Sequence, residues 1–310
     1  MVQTIQETFS RKKEDHTFLF KFTPTRGGIF NVQIKHCQSR KIPNGDFTIT
    51  VRDYSNMGNP NEITGEISGG RSRFNVPWGV GFNGETLLVT DTDDHKFYSF
   101  GESPKIFSLG GAPSYPRGIQ FHEEHFYVAV TQNYLSVLDH EGSLVRTIGE
   151  GLNRPRGFSI GFERIVICST DSCEVHFLNE SGSSLKILTD FNYPLCSAMF
   201  DHPKDGKIVA ITDCDNHRII ILDLDGNIIR KFGGANTFQK PIGIAFDPCG
   251  NLVIADSENA RIQVFTTEGE HIASFGSDFL ESPKSIAVSP SGTIAIADDK
   301  KKKVFLFKIE

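Results

Sequence analysis

The 310-residue chain lacks the long apolar runs of a membrane protein. No segment approaches the roughly eighteen consecutive apolar residues that a membrane-spanning helix needs. The first residues also lack the charged stretch followed by an apolar one that is typical of a secretory signal. The sequence therefore predicts a soluble, cytoplasmic protein with no membrane partner.

Paired cysteines are also lacking. The six cysteines are scattered and include no Cys-x-x-Cys pair, which argues against a zinc site or a disulfide scaffold. We therefore expect reduced, partly buried thiols, and we predict no metal and no cofactor.

The chain has no excess of positive charge, since its formal net charge is −6. Proteins that bind nucleic acid normally carry a basic patch, so this net charge by itself argues against a nucleic-acid-binding protein, and we expect no DNA partner. A net charge of this sign does not exclude a local basic patch. The positions of the cations are therefore more informative than their number.

The sequence does contain a repeated pattern of apolar runs and polar turns. Its clearest copy spans residues 212–234, where the turn 213–218 (Asp-Cys-Asp-Asn-His-Arg) lies between two apolar runs. Apolar runs that flank turn residues are typical of antiparallel strands joined by hairpins. The pattern returns at 256–262 and, in weaker form, at 91–97, 169–175 and 298–304.

A second marker, usually Pro-x-Gly followed by an apolar residue, recurs at intervals near forty residues. Its six copies begin at Pro77, Pro116, Pro155, Pro194, Pro241 and Pro283. A period near forty with four strands per unit indicates the blade of a β-propeller. We therefore predict an all-β fold in which residues 61–310 form a six-bladed β-propeller.

The two ends of the predicted propeller complement each other. Residues 63–69 resemble the outer strand of other blades but precede the first marker, whereas the last repeat stops after its third strand. We expect this segment to complete the sixth blade, which would close the ring and remove open strand edges. An open β-solenoid is the alternative, and it does not explain the displaced strand.

The residues before the propeller divide into three segments. Residues 1–16 are polar and are expected to be a flexible N-terminus. Residues 17–53 contain three strand-like runs with alternating apolar residues. Residues 54–60 have the composition of a short linker.

Motifs in both regions resemble known families. The turn 213–219, the Pro-x-Gly-Ile marker at Pro241 and the run 247–252 (Asp-Pro-Cys-Gly-Asn-Leu) resemble the NHL repeat. Residues 22–28 and 41–49 resemble the closing half of a filamin-type immunoglobulin repeat, which implies a short N-terminal partial immunoglobulin-like β segment. The combination resembles the tripartite-motif (TRIM-NHL) proteins.

The resemblance implies a propeller that binds RNA or docks proteins in post-transcriptional gene regulation. Many such proteins carry a RING ubiquitin ligase, but this chain has no RING-type Cys/His spacing. The ten histidines fall at unlike repeat positions, and no Ser/His/Asp set or glycine-rich phosphate loop is recognisable. We therefore expect no enzymatic activity.

One rim of the propeller, called here the top face, is expected to carry the starts of the innermost strands and the Asp-x-x-Asn-x-Arg turns. This face holds nearly as many cations as acids, whereas the rest of the propeller is acidic. Cations interleaved with aromatic residues suit single-stranded or looped RNA, because bases stack while phosphates pair.

The predicted RNA contacts fall into three groups. Trp78, Arg117, Arg156 and Lys284 directly follow a marker proline, and Tyr115, Arg154, Tyr193 and Lys240 directly precede one; His95, Lys96, Tyr134, His217, Lys300 and Lys301 lie in or beside the turns.

Some of these residues have a purely structural alternative. Trp78 is equally suited to capping the channel, and the lysines at 300–303 fit a solvated turn. Arg218 and Arg261 are predicted to pair with Asp213 and Asp256 inside the turns. RNA binding, with single-stranded or stem-loop RNA, is the predicted function; the alternative is a protein-docking scaffold that recruits partners for a ubiquitin ligase or a repressor complex.

Overall fold

The computed structural model describes the backbone of residues 10–11, 18–19, 28–35, 41–51, 61–63, 74–109, 114–149 and 151–308, with side chains from residue 74 to residue 307 apart from the gaps. The chain divides into two compact units, residues 1–53 with 310, and residues 54–309. Within the described ranges, no helical segment has the length and apolar character needed to cross a lipid bilayer.

The N-terminal unit is described through four strands. Strand β1 (Ser10–Arg11) pairs antiparallel with β2 (Phe18–Leu19). Strand β3 (Gly28–Lys35) pairs antiparallel with β4 (Lys41–Val51). The remainder of the expected flexible N-terminus 1–16, of the expected immunoglobulin-like segment 17–53, and all of the expected linker 54–60 lie outside the described residues.

The second unit contains six four-stranded antiparallel sheets; five are built from strands that follow one another in the chain, and the sixth combines the last three strands with β5 (Asn61–Ile63). This arrangement confirms the predicted all-β six-bladed propeller. After β5 (Asn61–Ile63) come β6 (Pro77–Asn83), β7 (Thr86–Asp91), β8 (Lys96–Phe100) and β9 (Lys105–Ser108) of blade one; β10 (Pro116–His122), β11 (His125–Val130), β12 (Tyr134–Leu138) and β13 (Leu144–Ile148) of blade two; and β14 (Pro155–Gly161), β15 (Arg164–Ser169), β16 (Glu174–Leu178) and β17 (Ser184–Leu188) of blade three.

The remaining blades follow the same order. They comprise β18 (Pro194–His202), β19 (Gly206–Asp213), β20 (Arg218–Asp223) and β21 (Ile228–Gly233) of blade four; β22 (Pro241–Phe246), β23 (Leu252–Asp256), β24 (Arg261–Phe265) and β25 (His271–Phe275) of blade five; and β26 (Pro283–Val288), β27 (Thr293–Asp298) and β28 (Lys303–Lys308) of blade six. Short 3₁₀ turns at Cys214–Asn216 and Ser257–Asn259 link the second and third strands of blades four and five.

The ring is closed by a strand from the start of the propeller. Strand β5 pairs antiparallel with β28, with Ile63 opposite Val304 and Asn61 opposite Leu306. The pairing segment thus begins two residues before the expected 63–69, of which only Ile63 is described. The backbone N–H of Val80 in blade one also donates to Ser285 Oγ of blade six at 3.2 Å, which joins first and last blades directly.

The hydrophobic core lies between neighbouring blades. Val89 and Tyr98 of blade one, for example, pack with Ala297 and Val304 of blade six. The second strand of each blade is buried almost throughout, whereas the outer strands β13 and β17 are largely exposed. Each blade therefore depends on its neighbours, and the fold is completed by closing the ring.

The glycine of the Pro-x-Gly marker is explained by the contact between innermost strands. A Cβ on Gly118 would lie 2.7 Å from the carbonyl oxygen of Arg156 in the next blade. Such a separation is shorter than real Cβ contacts allow, so only glycine lets the strands approach this closely. The residue before each such glycine is thereby fixed at the top end of the central channel.

Candidate functional site

The residues that directly follow the marker prolines form a ring at the top end of the channel. One side of this ring holds Trp78, Arg117, Arg156 and Lys284, whereas Leu195 and Ile242 form a buried apolar patch on the other side. We call Trp78, Arg117, Arg156, Lys284 and the neighbouring Tyr193 the channel-mouth cluster. Sequence reasoning named all five of these residues.

The cations of this cluster converge on one indole ring. The guanidinium carbon of Arg117 lies 4.0 Å from the centre of the Trp78 ring and that of Arg156 lies 5.4 Å from it. The Lys284 ammonium lies 5.7 Å from the same centre. Trp78 is only 8% exposed, so its ring supports the cations by cation–π attraction and does not offer an open face to a nucleobase.

Few acidic groups neutralise these cations. Lys284 lies 3.7 Å from a carboxylate oxygen of Asp299, and Arg156 donates a hydrogen bond to the Tyr193 hydroxyl at 2.9 Å. Within the part of the chain that the structure describes, Arg117 forms no ion pair, and the buried Nε atoms of Arg117 and Arg156 have no hydrogen-bond partner. The cluster thus contains two buried donors that no described group of the protein satisfies.

Burial makes the positive charges costly. It lowers the pKa of Arg117 to about 10, and the positive charges of Arg156 and Arg154 contribute to the decrease. Burial also lowers the pKa of Arg156 and of Lys284. A pKa near 10 leaves Arg117 charged at neutral pH, so the site holds a concentration of positive charge that a bound anion would relieve.

The backbone around the cluster is held by threonines at the ends of the second strands. Thr90 Oγ1 accepts from the Gly79 backbone N–H at 2.8 Å and donates to the Arg117 carbonyl oxygen at 2.6 Å. Thr92 Oγ1 donates to the Pro116 carbonyl at 2.8 Å. The two bonds to the carbonyl oxygens of Arg117 and Pro116 cross from blade one to blade two, so they fix the position of Arg117 relative to Trp78.

The predicted cations away from the channel are paired with acids. Arg154 lies 3.1 Å from Asp171, Lys240 lies 3.2 Å from Glu258 and Lys301 lies 3.6 Å from Glu281. Lys96 is half-buried and Lys300 is exposed, and neither has a salt bridge within the described residues. The top face is therefore electrostatically uneven, and its uncompensated positive charge is concentrated at the channel mouth.

The predicted histidines and tyrosines mainly support loops. His95 Nδ1 accepts from the Tyr115 backbone N–H at 3.4 Å, and the two rings meet edge to face at 4.6 Å. His217 Nδ1 accepts from the Lys240 N–H at 3.1 Å. Tyr134 donates to Gln132 Oε1 at 3.1 Å, outside the channel-mouth cluster.

The Asp-x-x-Asn-x-Arg turns are internally bonded. Asp213 accepts from Arg218 Nε at 2.7 Å and from the Asn192 backbone N–H at 2.7 Å. In the next blade Asp256 accepts from Arg261 Nε at 2.8 Å and from the Gln239 N–H at 2.6 Å. Each buried carboxylate thus ties its own turn to the loop that leads into the innermost strand of its blade.

Asp299 and the apolar pair Leu195 and Ile242 were not predicted as parts of the site. The signal for the apolar pair was present, because both residues occupy the same post-proline position as Arg117. Asp299 had no such signal, since its contact with Lys284 depends on the path of the turn that follows β27.

One group of side chains with metal-ligating atoms lies at the opposite end of the propeller. His122 Nε2 lies 3.9 Å from a carboxylate oxygen of Glu123 and 3.9 Å from one of Glu180, and all three ligand atoms lie within 4.8 Å of one another. His122 is the last residue of the innermost strand of blade two, and Glu180 lies in the outer hairpin of blade three, so the group is remote from the channel-mouth cluster.

The turn and marker geometry agrees with a comparison against known families. A family model for the NHL repeat matches residues 238–265. This segment is an NHL repeat. It covers the first three strands of blade five and includes Asp256 and Arg261, so the expected NHL propeller is confirmed at the level of the repeat and the six-bladed fold.

Several solved propellers are similar to this chain. Streptogramin B lyase is 14% identical, covering 81% of this chain and 97% of its own, with a TM-score of 0.60. A catalytically inactive virginiamycin B lyase from Staphylococcus aureus with quinupristin is 14% identical, covering 79% and 83%, with a TM-score of 0.60. The WD40 β-propeller domain of Doa1 is 15% identical, covering 87% and 85%, with a TM-score of 0.57. Identities at this level show a shared fold.

The expectation that this chain is not an enzyme is contradicted by these comparisons. Propellers of similar architecture include lyases, so the repeat fold gives no ground for excluding catalysis. The sequence argument was wrong because it required catalytic residues at like positions in the repeats. A closed ring brings together residues that are far apart in the sequence, as the contact between Val80 and Ser285 illustrates.

Proposed function

We propose that this NHL propeller binds RNA, as single strands or stem-loops, through the top face of the ring and acts in post-transcriptional gene regulation. NHL propellers generally serve as binding scaffolds for proteins or RNA. The observation that carries the proposal is the convergence of Arg117, Arg156 and Lys284 on Trp78, where, among the described residues, only Lys284 forms an ion pair, with Asp299. Guanidinium groups bind phosphates through paired hydrogen bonds.

Because the cations of the outer top face are paired with acids, we infer that RNA contacts a smaller part of this face than the sequence predicts. Arg154, Lys240 and Lys301 already have acidic partners, so they would have to exchange these partners to meet a phosphate. We infer that RNA is anchored at the channel mouth. Tyr115, which is 42% exposed, is the aromatic residue best placed to meet a base.

The test is a fluorescence-anisotropy titration of labelled short hairpins and U-rich strands at low salt, where phosphate contacts are strongest. We expect binding by the native protein and a loss of at least about tenfold in affinity for Arg117→Gln with Arg156→Gln. Lys204→Gln, which removes an exposed cation from the opposite end of the propeller, is the matched control and should bind normally. The proposal fails if the native protein binds no RNA at low salt.

The second candidate is a protein-docking scaffold that recruits partners for a ubiquitin ligase or a repressor complex. It is supported by exposed apolar side chains on adjacent outer strands, where Leu144 is 61% and Leu185 is 51% exposed. A groove of about 610 Å³ lies beside them and is lined in part by Ile148, Leu152 and Ile187. Partners that remain bound after nuclease treatment and are lost in Leu185→Asp would favour this candidate.

We further propose that the chain is of the TRIM-NHL type, with a partial filamin-like segment before the propeller, and that it is cytoplasmic. The antiparallel pairing of β3 with β4 is compatible with two strands of an immunoglobulin-type sheet. The free cysteines Cys168, Cys173, Cys196 and Cys214 suit a reducing compartment. Immunofluorescence of the tagged chain tests the location, and a nuclear or secreted pool would contradict it.

A further inference from the structure

The channel-mouth cluster has a charge that exceeds what an internal phosphate of RNA supplies. Arg117, Arg156 and Lys284 bring three positive charges to one indole ring, and Asp299 beside Lys284 contributes one negative charge. Two of the three cations, Arg117 and Arg156, therefore form no ion pair among the described residues. An internal phosphodiester carries a single negative charge, whereas a phosphate monoester carries about −1.5 to −2 near neutral pH.

The donors of the cluster are arranged for a single anion. Arg117 and Arg156 lie over the same ring, and their buried Nε atoms lack hydrogen-bond partners among the described residues. The opposite side of the ring, formed by Leu195 and Ile242, is apolar and presents no cation for a second phosphate. The cluster thus suits one compact anion with several acceptor oxygens.

The position of the cluster favours the end of an RNA strand as its ligand. The six innermost strands meet around the channel, and the residues after their prolines surround its mouth. A continuous strand that reached this point would have to enter and leave through the same mouth. A terminal group needs only to enter, so its phosphate can reach the cations without bending the chain back on itself.

We propose that the channel-mouth cluster recognises a terminal phosphate monoester of RNA, held by Arg117, Arg156 and Lys284. This inference rests on the proposed RNA-binding function and deepens it. Trp78 supports the two guanidinium groups from below, and Tyr193 holds Arg156 through its hydroxyl group. The bound phosphate supplies the negative charge that the buried cations lack.

The test compares RNA strands of one sequence with a 5′-phosphate, a 3′-phosphate or hydroxyl groups at both ends, titrated by anisotropy at about 0.1 M salt. We expect one of the phosphorylated strands to bind at least about tenfold more tightly than the hydroxyl strand, since several charge-assisted hydrogen bonds are gained. Equal binding of all three strands overturns this inference but leaves RNA binding intact. No binding of any strand at low salt overturns the proposed function, and this inference with it.

A pH series supplies a readout that needs no variant. The second pKa of a phosphate monoester is about 6, so the advantage of the phosphorylated strand should shrink between pH 7.5 and pH 5.5. Arg117, with a pKa of about 10, stays charged over this range. An advantage that is constant over this range contradicts recognition of the dianion.

Variants and a competitor locate the effect. Arg117→Gln should reduce the advantage of the phosphorylated strand to about twofold or less, because its charged donors are removed, and Lys204→Gln should retain it in full. Inorganic phosphate should compete more strongly with the phosphorylated strand than with the hydroxyl strand. A phosphoserine peptide that binds more tightly than either RNA would overturn the inference by identifying a protein ligand. Circular dichroism checks that each variant is folded.

Discussion

The guanidinium group of Arg117 stacks on the indole of Trp78, with its carbon atom 4.0 Å from the ring centre. The face of a guanidinium in this position interacts with the ring by cation–π attraction. Its N–H groups lie in the guanidinium plane and remain able to donate hydrogen bonds. Trp78 is thus a support for cations, and the ligand-binding groups of the channel mouth are the edges of Arg117 and Arg156.

Trp78 is the only tryptophan of the chain, so its fluorescence reports on this site alone. We expect RNA to change the emission intensity of Trp78, because a phosphate at the cluster alters the field of the cations that contact the ring. The titration should give the same dissociation constant as anisotropy. Anisotropy that reports binding while the emission stays constant, after correction for absorption by RNA, would locate the ligand elsewhere.

Replacing Trp78 by leucine should lower both stability and affinity. The indole is 8% exposed, and a large-to-small change at a buried site costs about 2 kcal/mol or more. Urea unfolding measures the loss of stability, and RNA titration measures the loss of affinity. Tyr115→Leu, at an exposed aromatic residue, is the matched control for stability. It should lower the free energy of unfolding by less than about 0.5 kcal/mol. Equal stability of the two variants would contradict the supporting role of Trp78.

The close approach of the innermost strands predicts that a methyl group added at Gly118 destabilises the fold. Gly118→Ala would place its Cβ 2.7 Å from the Arg156 carbonyl oxygen, and relieving this overlap should cost about 1–3 kcal/mol. Thermal unfolding checks the loss. Gly84→Asn is the control, because Gly84 lies in a turn with open space around it and asparagine tolerates its positive φ of 58°. A Gly118→Ala protein as stable as the native one would refute the steric account of the marker.

The Arg230–Asp205 pair predicts a dependence of stability on pH. Arg230 donates to both carboxylate oxygens of Asp205, at 2.7 and 2.9 Å, and these bonds hold the pKa of Asp205 below its ordinary value of 3.8. A carboxyl with a lowered pKa in the folded state stabilises the fold above the pKa of the unfolded chain, and this contribution is lost as the pH falls through the folded pKa.

Arg230→Gln should therefore cost about 1–2 kcal/mol at pH 7 and much less at a pH below the folded pKa of Asp205. Urea unfolding at pH 7 and at the lowest pH at which the native protein remains folded measures the difference. Lys204→Gln, at an exposed cation of the same region, should change stability little at either pH. If Arg230→Gln lowers the free energy of unfolding equally at both pH values, the charge of Asp205 is not involved.

The repeat explains why so much of the fold could be predicted from the sequence. The Pro-x-Gly marker corresponds to a close contact between the innermost strands of neighbouring blades, as at Gly118. The Asp-x-x-Asn-x-Arg turn corresponds to an internally hydrogen-bonded loop, as at Asp213 and Arg218. Local patterns that recur therefore identify blades and rims. The bounds of the strand that closes the ring are the harder part to predict, because strand β5 is defined by its partner β28 and not by a recurring pattern of its own.

The electrostatics of the site could be predicted only in part. The post-proline position identified Arg117, Arg156 and Lys284, but the pairing of Lys284 with Asp299 and of Arg154 with Asp171 depends on how turns and side chains meet within the folded blades. Sequence spacing does not specify such contacts. The stacking of two guanidinium groups on Trp78 likewise joins three different blades and becomes visible only when the ring is closed.

The salt dependence of RNA binding is the most direct measurement of the central claim that Arg117 and Arg156 hold phosphate. For single strands the logarithm of the binding constant falls with the logarithm of salt concentration by about 0.7 for each neutralised phosphate charge. The Arg117→Gln, Arg156→Gln protein should bind more weakly, and its slope should be smaller than that of the native protein by about 0.7 to 1.4. A double variant with the native slope and native affinity would contradict the claim.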